Sequence, residues 1–99
     1  MYKDLNPLLH SPLRLAVISF LVSHSSSDFN ELKDITKATS GNLSVQLKKL
    51  EQAGYIKIVK GFKNNYPHTS VEITPKGLDA FEEYVEAIKK YIEKDAKDE

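Results

Sequence analysis

The sequence predicts a mainly α-helical domain completed by one small β-hairpin. Three observations predict it. Apolar residues recur at helical spacing near the start, in the middle and at the end of the chain. A β-rich run at Tyr55–Val59 is answered by a second at Ser70–Ile73. Ser11-Pro12 and Thr74-Pro75 each place a cap residue before proline, the signature of a helix start.

From Pro12 to about Ser23, Leu13, Ala16, Val17, Phe20 and Leu21 share one helical face. Ahead of it, Leu5, Leu8 and Leu9 form a smaller apolar cluster broken by Pro7. This cluster is expected to form another short helix, leaning on the body or on a partner chain. Asp28-Phe29 leaves room only for a bridge-like strand. Asn30 is the expected cap of a short second helix, with Leu32 and Ile35 inward and Ala38 close behind. Thr39-Ser40-Gly41 reads as a tight connector. The third helix, about Gly41–Ala53, turns Leu43, Leu47 and Leu50 to the core and stops at Gly54, where a left-handed residue is favoured.

The period then changes to two, with Ile56 and Ile58 on one face of a strand. Lys60–His68 is polar and carries Gly61, Asn64, Asn65 and Pro67, which suits an exposed loop. Val71 and Ile73 face inward from the returning strand, and a long last helix runs from Pro75 to about Lys94. Two helices joined by a tight turn and followed at once by a β-hairpin constitute a winged helix-turn-helix.

The chain has 99 residues, enough for a single domain. The expected division is a winged core at 10–74 and a dimerisation helix at 75–95. With 40% hydrophobic and 28% charged residues the chain is expected to fold. It contains no cysteine, which removes disulfides, thiolate nucleophiles and cysteine metal sites. No secretory signal or membrane span is apparent, so a cytoplasmic protein is expected. His10, His24 and His68 are scattered, and neither a paired-carboxylate site nor a glycine-rich phosphate loop stands out. No enzymatic activity, cofactor or metal is therefore expected.

The formal net charge is zero, but its distribution is uneven. Residues 33–76 carry eight lysines against Asp34, Glu51 and Glu72, whereas residues 77–99 carry four lysines against eight acids. A basic middle and an acidic tail point to a local anionic partner.

In this order and spacing, a set of short motifs resembles the small winged-helix transcriptional regulators related to the MarR, ArsR and PadR groups. They are His10-Ser11-Pro12-Leu13-Arg14-Leu15, Phe29-Asn30-Glu31-Leu32, Gly41-Asn42-Leu43-Ser44, Leu47-Lys48-Lys49-Leu50-Glu51, Ala53-Gly54-Tyr55-Ile56 and Ile73-Thr74-Pro75-Lys76-Gly77. The resemblance implies double-stranded DNA as partner and a homodimer. The wing departs from the family, reading Gly61-Phe62-Lys63-Asn64-Asn65-Tyr66-Pro67-His68 where arginine is frequent; the chain's only arginine is Arg14. Lysine lacks the guanidinium fork, so backbone anchoring is expected of this wing rather than arginine-type minor-groove reading.

In such motifs the second helix enters the major groove with its N-terminal residues near base edges. At about 100° per residue, Gly41, Val45, Lys48 and Gln52 lie opposite the leucines, flanked by Asn42, Ser44 and Lys49. Lys48 and Lys49 suit phosphates or guanine acceptors, and Asn42 and Gln46 carry the donor–acceptor pair that adenine needs. Val45 suits a thymine methyl, and Ser40 and Ser44 suit phosphate. Lys60 and Lys63, with Asn64 and Asn65 at the tip, would brace the wing. Arg14 is expected to make an internal ion pair and Tyr55 to cap the core beside the wing.

On the last helix, Leu78, Phe81, Val85, Ile88 and Ile92 repeat at intervals of three and four, with Tyr84 and Tyr91 widening the seam. This surplus apolar face predicts a symmetric dimer, and hence two recognition helices on a palindromic operator. The functional expectation is a homodimeric DNA-binding repressor. The alternative is a winged-helix protein–protein adaptor. A small-molecule effector between the dimer helices, lined by Phe81, Tyr84 and Tyr91, is compatible with the sequence but not required by it.

Overall fold

The computed structural model describes residues 4–97, so the outermost residues of the expected 1–99 domain lie outside the described part. The element order is α1 (Pro12–His24), β1 (Ser26–Asp28), α2 (Phe29–Thr36), α3 (Ser40–Gln52), β2 (Ile56–Lys63), β3 (Tyr66–Ile73) and α4 (Pro75–Lys97). This is the winged helix-turn-helix with a long C-terminal helix that the sequence predicts.

α1 has Pro12 at its start and is central. Val17, Ile18 and Leu21 are fully buried, and Leu13, Leu15, Phe20 and Val22 pack against the core on its flanks. A helix apolar on most sides is one covered on most sides. The Leu5–Leu9 cluster forms a hydrogen-bonded turn rather than the expected helix, because Pro7 interrupts it and the Asn6 side chain supplies the bonds. Asn6 Oδ1 accepts from the Leu8 amide at 2.9 Å, and the Asn6 carbonyl accepts from the His10 amide at 2.9 Å. Leu9 is nonetheless fully buried.

The expected bridge at Asp28-Phe29 is instead strand β1 at Ser26–Asp28, and Phe29 already opens α2. Asp28, not Asn30, is the cap: its carboxylate accepts from the Glu31 amide at 2.7 Å. The competition is decided by the preceding strand, which holds Asp28 in the extended conformation that a cap requires. Leu32 is buried as expected, whereas Ile35 is 46% exposed. α2 is too short to seal both of its apolar residues.

The sheet is antiparallel in the order β1-β3-β2, with Ser27 opposite Val71 and Ile56 opposite Ile73. The expected loop at Lys60–His68 is mostly strand. β2 and β3 stay paired out to Lys63 opposite Tyr66, and the turn is Asn64-Asn65 alone. Both asparagines have positive φ, 52° and 68°, as a two-residue hairpin turn of the right twist demands. Gly54 ends the α3 region at φ +82°, as predicted.

α4 is preceded by Thr74, whose Oγ1 accepts from the Gly77 amide at 3.0 Å and donates to the Gly54 carbonyl at 2.6 Å. Gly77 is required there: a Cβ would lie 2.2 Å from the Tyr55 carbonyl oxygen. The radius of gyration is 15.4 Å, against about 13 Å for a compact chain of this length. Elements therefore project beyond the core.

Candidate nucleic-acid interface

The helix that the sequence offers for base contact is α3. It begins at Ser40, one residue inside the expected connector, because Thr39 caps it: Thr39 Oγ1 accepts from the Asn42 amide at 3.1 Å. Leu43, Leu47 and Leu50 are at most 2% exposed, each burial being worth about 1.5–3 kcal/mol. That anchoring leaves the opposite face standing clear. Ser40, Gly41, Asn42, Ser44, Val45, Lys48 and Lys49 are all exposed, Val45 by 53%. A Cβ on Gly41 would meet nothing within 4 Å, so its bareness serves no internal packing.

The sheet face that carries Ile58 and Lys60 turns toward α3. Between them runs a groove of about 660 Å³, lined by Phe29, Ser44, Leu47, Lys48, Glu51, Ile58, Lys60 and Thr69. Three of the proposed contact residues, Ser44, Lys48 and Lys60, thus share one concavity. Lys63, Asn64 and Asn65 sit farther out at the hairpin end. Lys48 Nζ also lies 3.3 Å from Glu51 Oε1, an exposed pair one helical turn apart.

Gln46 differs from its neighbours. It is half-buried, its Oε1 accepts from Arg14 Nη1, and its Nε2 donates to Asn42 Oδ1 at 3.1 Å. Arg14 does not make the ion pair expected of it; among the described residues its bonds run to that amide and, through Nε at 2.6 Å, to the Leu8 carbonyl. The N-terminal turn supplies one of those acceptors and α3 the other, and among the described residues no carboxylate lies within ion-pair distance of the guanidinium. Tyr55 caps the core edge as expected, with Asn6 Nδ2 donating to its hydroxyl at 2.9 Å.

On α4 the seven residues of the expected seam divide. Tyr84 is only 7% exposed, covered by its own chain, with its hydroxyl 2.9 Å from His10 Nδ1. Phe81 and Ile88 pack on the rim of the same core. Leu78 and Ile92 are 42% and 64% exposed, Val85 between them is half-buried, and Tyr91 is exposed. Tyr84 lines a second concavity of about 440 Å³ with Asp4, Leu5, Asn6, Pro7, Ala80, Glu83 and Ala87, which includes neither Phe81 nor Tyr91.

Sequence reasoning missed Thr39 as the cap, Thr69 and Phe29 as groove walls, and Arg14 as a partner of α3. Thr39 itself, a residue of the capping class within the expected connector, was the available signal for the cap; the roles of Thr69, Phe29 and Arg14 depend on tertiary placement. Among the described residues no helix is long and apolar enough to cross a membrane, and no cluster of three metal-ligating side chains occurs.

The family model described as "winged helix DNA-binding domain" matches residues 13–92. An uncharacterized protein of Methanocaldococcus jannaschii is 33% identical over 78 residues, covering 79% of this chain and 85% of its own. The solved structure of a transcriptional regulator homologue from Pyrococcus horikoshii OT3 superposes with a TM-score of 0.81 at 29% identity, covering 87% of this chain and 85% of that one. A MarR-family transcriptional regulator from Silicibacter pomeroyi superposes with a TM-score of 0.67, covering 83% of this chain and 54% of its own. At 16% identity that last likeness concerns the fold alone.

Proposed function

We propose, from the premise that this chain belongs to the winged helix DNA-binding domain family, that it is a homodimeric transcriptional repressor acting on a palindromic operator. The observation that carries the reading is the face of α3 opposite its three buried leucines: polar at its start, basic in its middle, and set across a groove from Lys60. The helix start presents free backbone amides and small side chains to bases and phosphates. Lys48, Lys49, Lys60 and Lys63 neutralise phosphates on either side. The whole chain acts as one domain, in which 10–74 is the winged core and 75–95 the dimerisation helix. Exposed Leu78 and Ile92, with half-buried Val85 between them, offer the heptad edge to a second copy, with Phe81 and Ile88 behind them. Repression follows from occupying promoter DNA in the cytoplasm, without catalysis or cofactor.

Fluorescence anisotropy tests the reading, using the chain's own upstream DNA and a scrambled duplex across a salt series. The expected result is binding at least ~10³-fold tighter to the palindrome-bearing duplex, falling steeply with salt. Charge reversal at Lys48 and Lys49 abolishes it. Absence of binding to either duplex at low salt overturns the reading.

The adaptor reading has one observation in its favour: Phe62 and Tyr66 near the wing tip are 79% and 74% exposed. It predicts that Lys48→Glu with Lys49→Glu leaves the protein's partner interaction intact while Phe62→Ser weakens it.

A further inference from the structure

The interface just proposed contains two carboxamides in series, and the structure fixes which way both point. A carboxamide has one accepting end and one donating end, and by itself it is free to present either. A guanidinium only donates. Arg14 Nη1 bonds the side-chain oxygen of Gln46, so the Gln46 amide nitrogen must face the other way. It faces Asn42 and donates to Oδ1 at 3.1 Å. Asn42 Oδ1 is therefore turned back along the helix, and the Asn42 amide nitrogen is turned outward from the exposed start of α3.

The source of this polarity is itself held. Arg14 Nε donates to the Leu8 carbonyl at 2.6 Å. Leu8 belongs to the turn whose amide bonds Asn6 Oδ1, and Asn6 Nδ2 donates onward to the Tyr55 hydroxyl at 2.9 Å. The guanidinium is thus braced by the N-terminal turn, which is itself tied to the wing root.

We infer that Arg14 is a positioning residue for base readout: through Gln46 it makes Asn42 present N–H donors, which selects a base edge rich in acceptors. This inference rests on the DNA-binding reading above. In the major groove guanine offers two adjacent acceptors, N7 and O6, thymine offers O4, and cytosine offers a donating amine. Guanine is the preferred base at the position facing Asn42, and cytosine the least tolerated. The pairing with adenine expected from residue type alone needs an outward amide oxygen beside the outward nitrogen, and here that oxygen is turned to the Gln46 amide. A plain lysine in place of Arg14 also only donates, so it preserves the polarity wherever it reaches Gln46.

The test is selection from a duplex library randomised across about two helical turns, the span of two half-sites, with the full-length protein. Competition among the four bases at the position that Asn42 controls then gives a preference ratio. The wild type is expected to favour guanine over cytosine at least about fivefold. Arg14→Ala flattens that ratio, Arg14→Lys restores it, and Asn42→Asp, which turns an acceptor outward, moves the preference to cytosine. Asn42 is exposed, so Asn42→Asp keeps the experiment decisive if Arg14→Ala does not fold, a point that a thermal melt establishes. The inference is overturned if Arg14→Ala weakens all four bases equally, or if Asn42→Asp keeps the wild-type base. A wild type that selects no sequence at all overturns the palindromic-operator reading as well, and is distinct from a selected site that ignores both variants.

Discussion

α3 and α4 carry the same kind of pattern and put it to different use. Each has apolar residues at intervals of three and four, so on paper each is an amphipathic helix. In α3 all three leucines end below 3% exposure, and the opposite face is left polar and basic. In α4 the stripe is wider than the domain that must cover it: Ala80, Tyr84 and Ala87 are buried, while Leu78 and Ile92 stay exposed. The difference teaches that a heptad tells which side of a helix is apolar, not which chain will cover it. The count of available neighbours decides that. α3 lies under α1 and the sheet, whereas α4 beyond its first turn packs on α1 and the N-terminal turn.

The largest effects come from breaking each stripe in turn. Leu47→Ala opens a cavity in a sealed core and is expected to cost about 2–5 kcal/mol, at every protein concentration, in urea melts. Val85→Asp with Ile92→Asp is expected to leave the circular dichroism spectrum helical and to turn a dimer into a monomer in sedimentation. A dimer that survives this pair removes α4 from the interface.

The junction of the two regions gives the next effect. Gly77 lies where the first turn of α4 passes the Tyr55 carbonyl, and an added Cβ at 2.2 Å forces the helix off its seat. Gly77→Ala should lose about 1–3 kcal/mol by overpacking, despite the better helix propensity of alanine. An unchanged melting temperature would show that α4 can shift without consequence. Thr39→Ala, which deletes only the α3 cap, should cost about 1 kcal/mol.

How much of this was legible in the sequence follows the same division. The leucines of α3, the proline starts of α1 and α4 and the left-handed Gly54 were readable, because each signal is local and has one cheap solution. The outer wing was not. Beyond Ile58 and Val71 the ribbon leaves the core, no face is buried, and the alternation that marks a strand disappears; only the Asn64-Asn65 turn chemistry persists. Ile35 and Tyr84 were misjudged in opposite directions, since periodicity cannot say whether a neighbour arrives: none seals Ile35, and the N-terminal turn covers Tyr84. Of the site, the polar face of α3 was legible and its tie to Arg14 was not. That tie joins residues 32 positions apart, and nothing in their spacing connects them.

The smallest expected effect probes the α3 side alone. Lys48 shares its charge with Glu51 at 3.3 Å, and Glu51 is, among the described residues, the one acid lining the groove between α3 and the wing. As an exposed pair it contributes less than about 1 kcal/mol to folding, so Glu51→Gln should barely move the melting temperature. DNA affinity is a separate matter. If phosphates enter that groove, removing the carboxylate frees Lys48 to neutralise one of them and lifts a repulsion at the same place. Binding should tighten a few-fold at low salt, and the slope of log affinity against log salt should steepen by about one. The same substitution on the far side, Glu86→Gln beside Lys89 on α4, should change neither quantity. If both variants shift affinity alike, the effect is one of net charge and the groove is not where the phosphates lie.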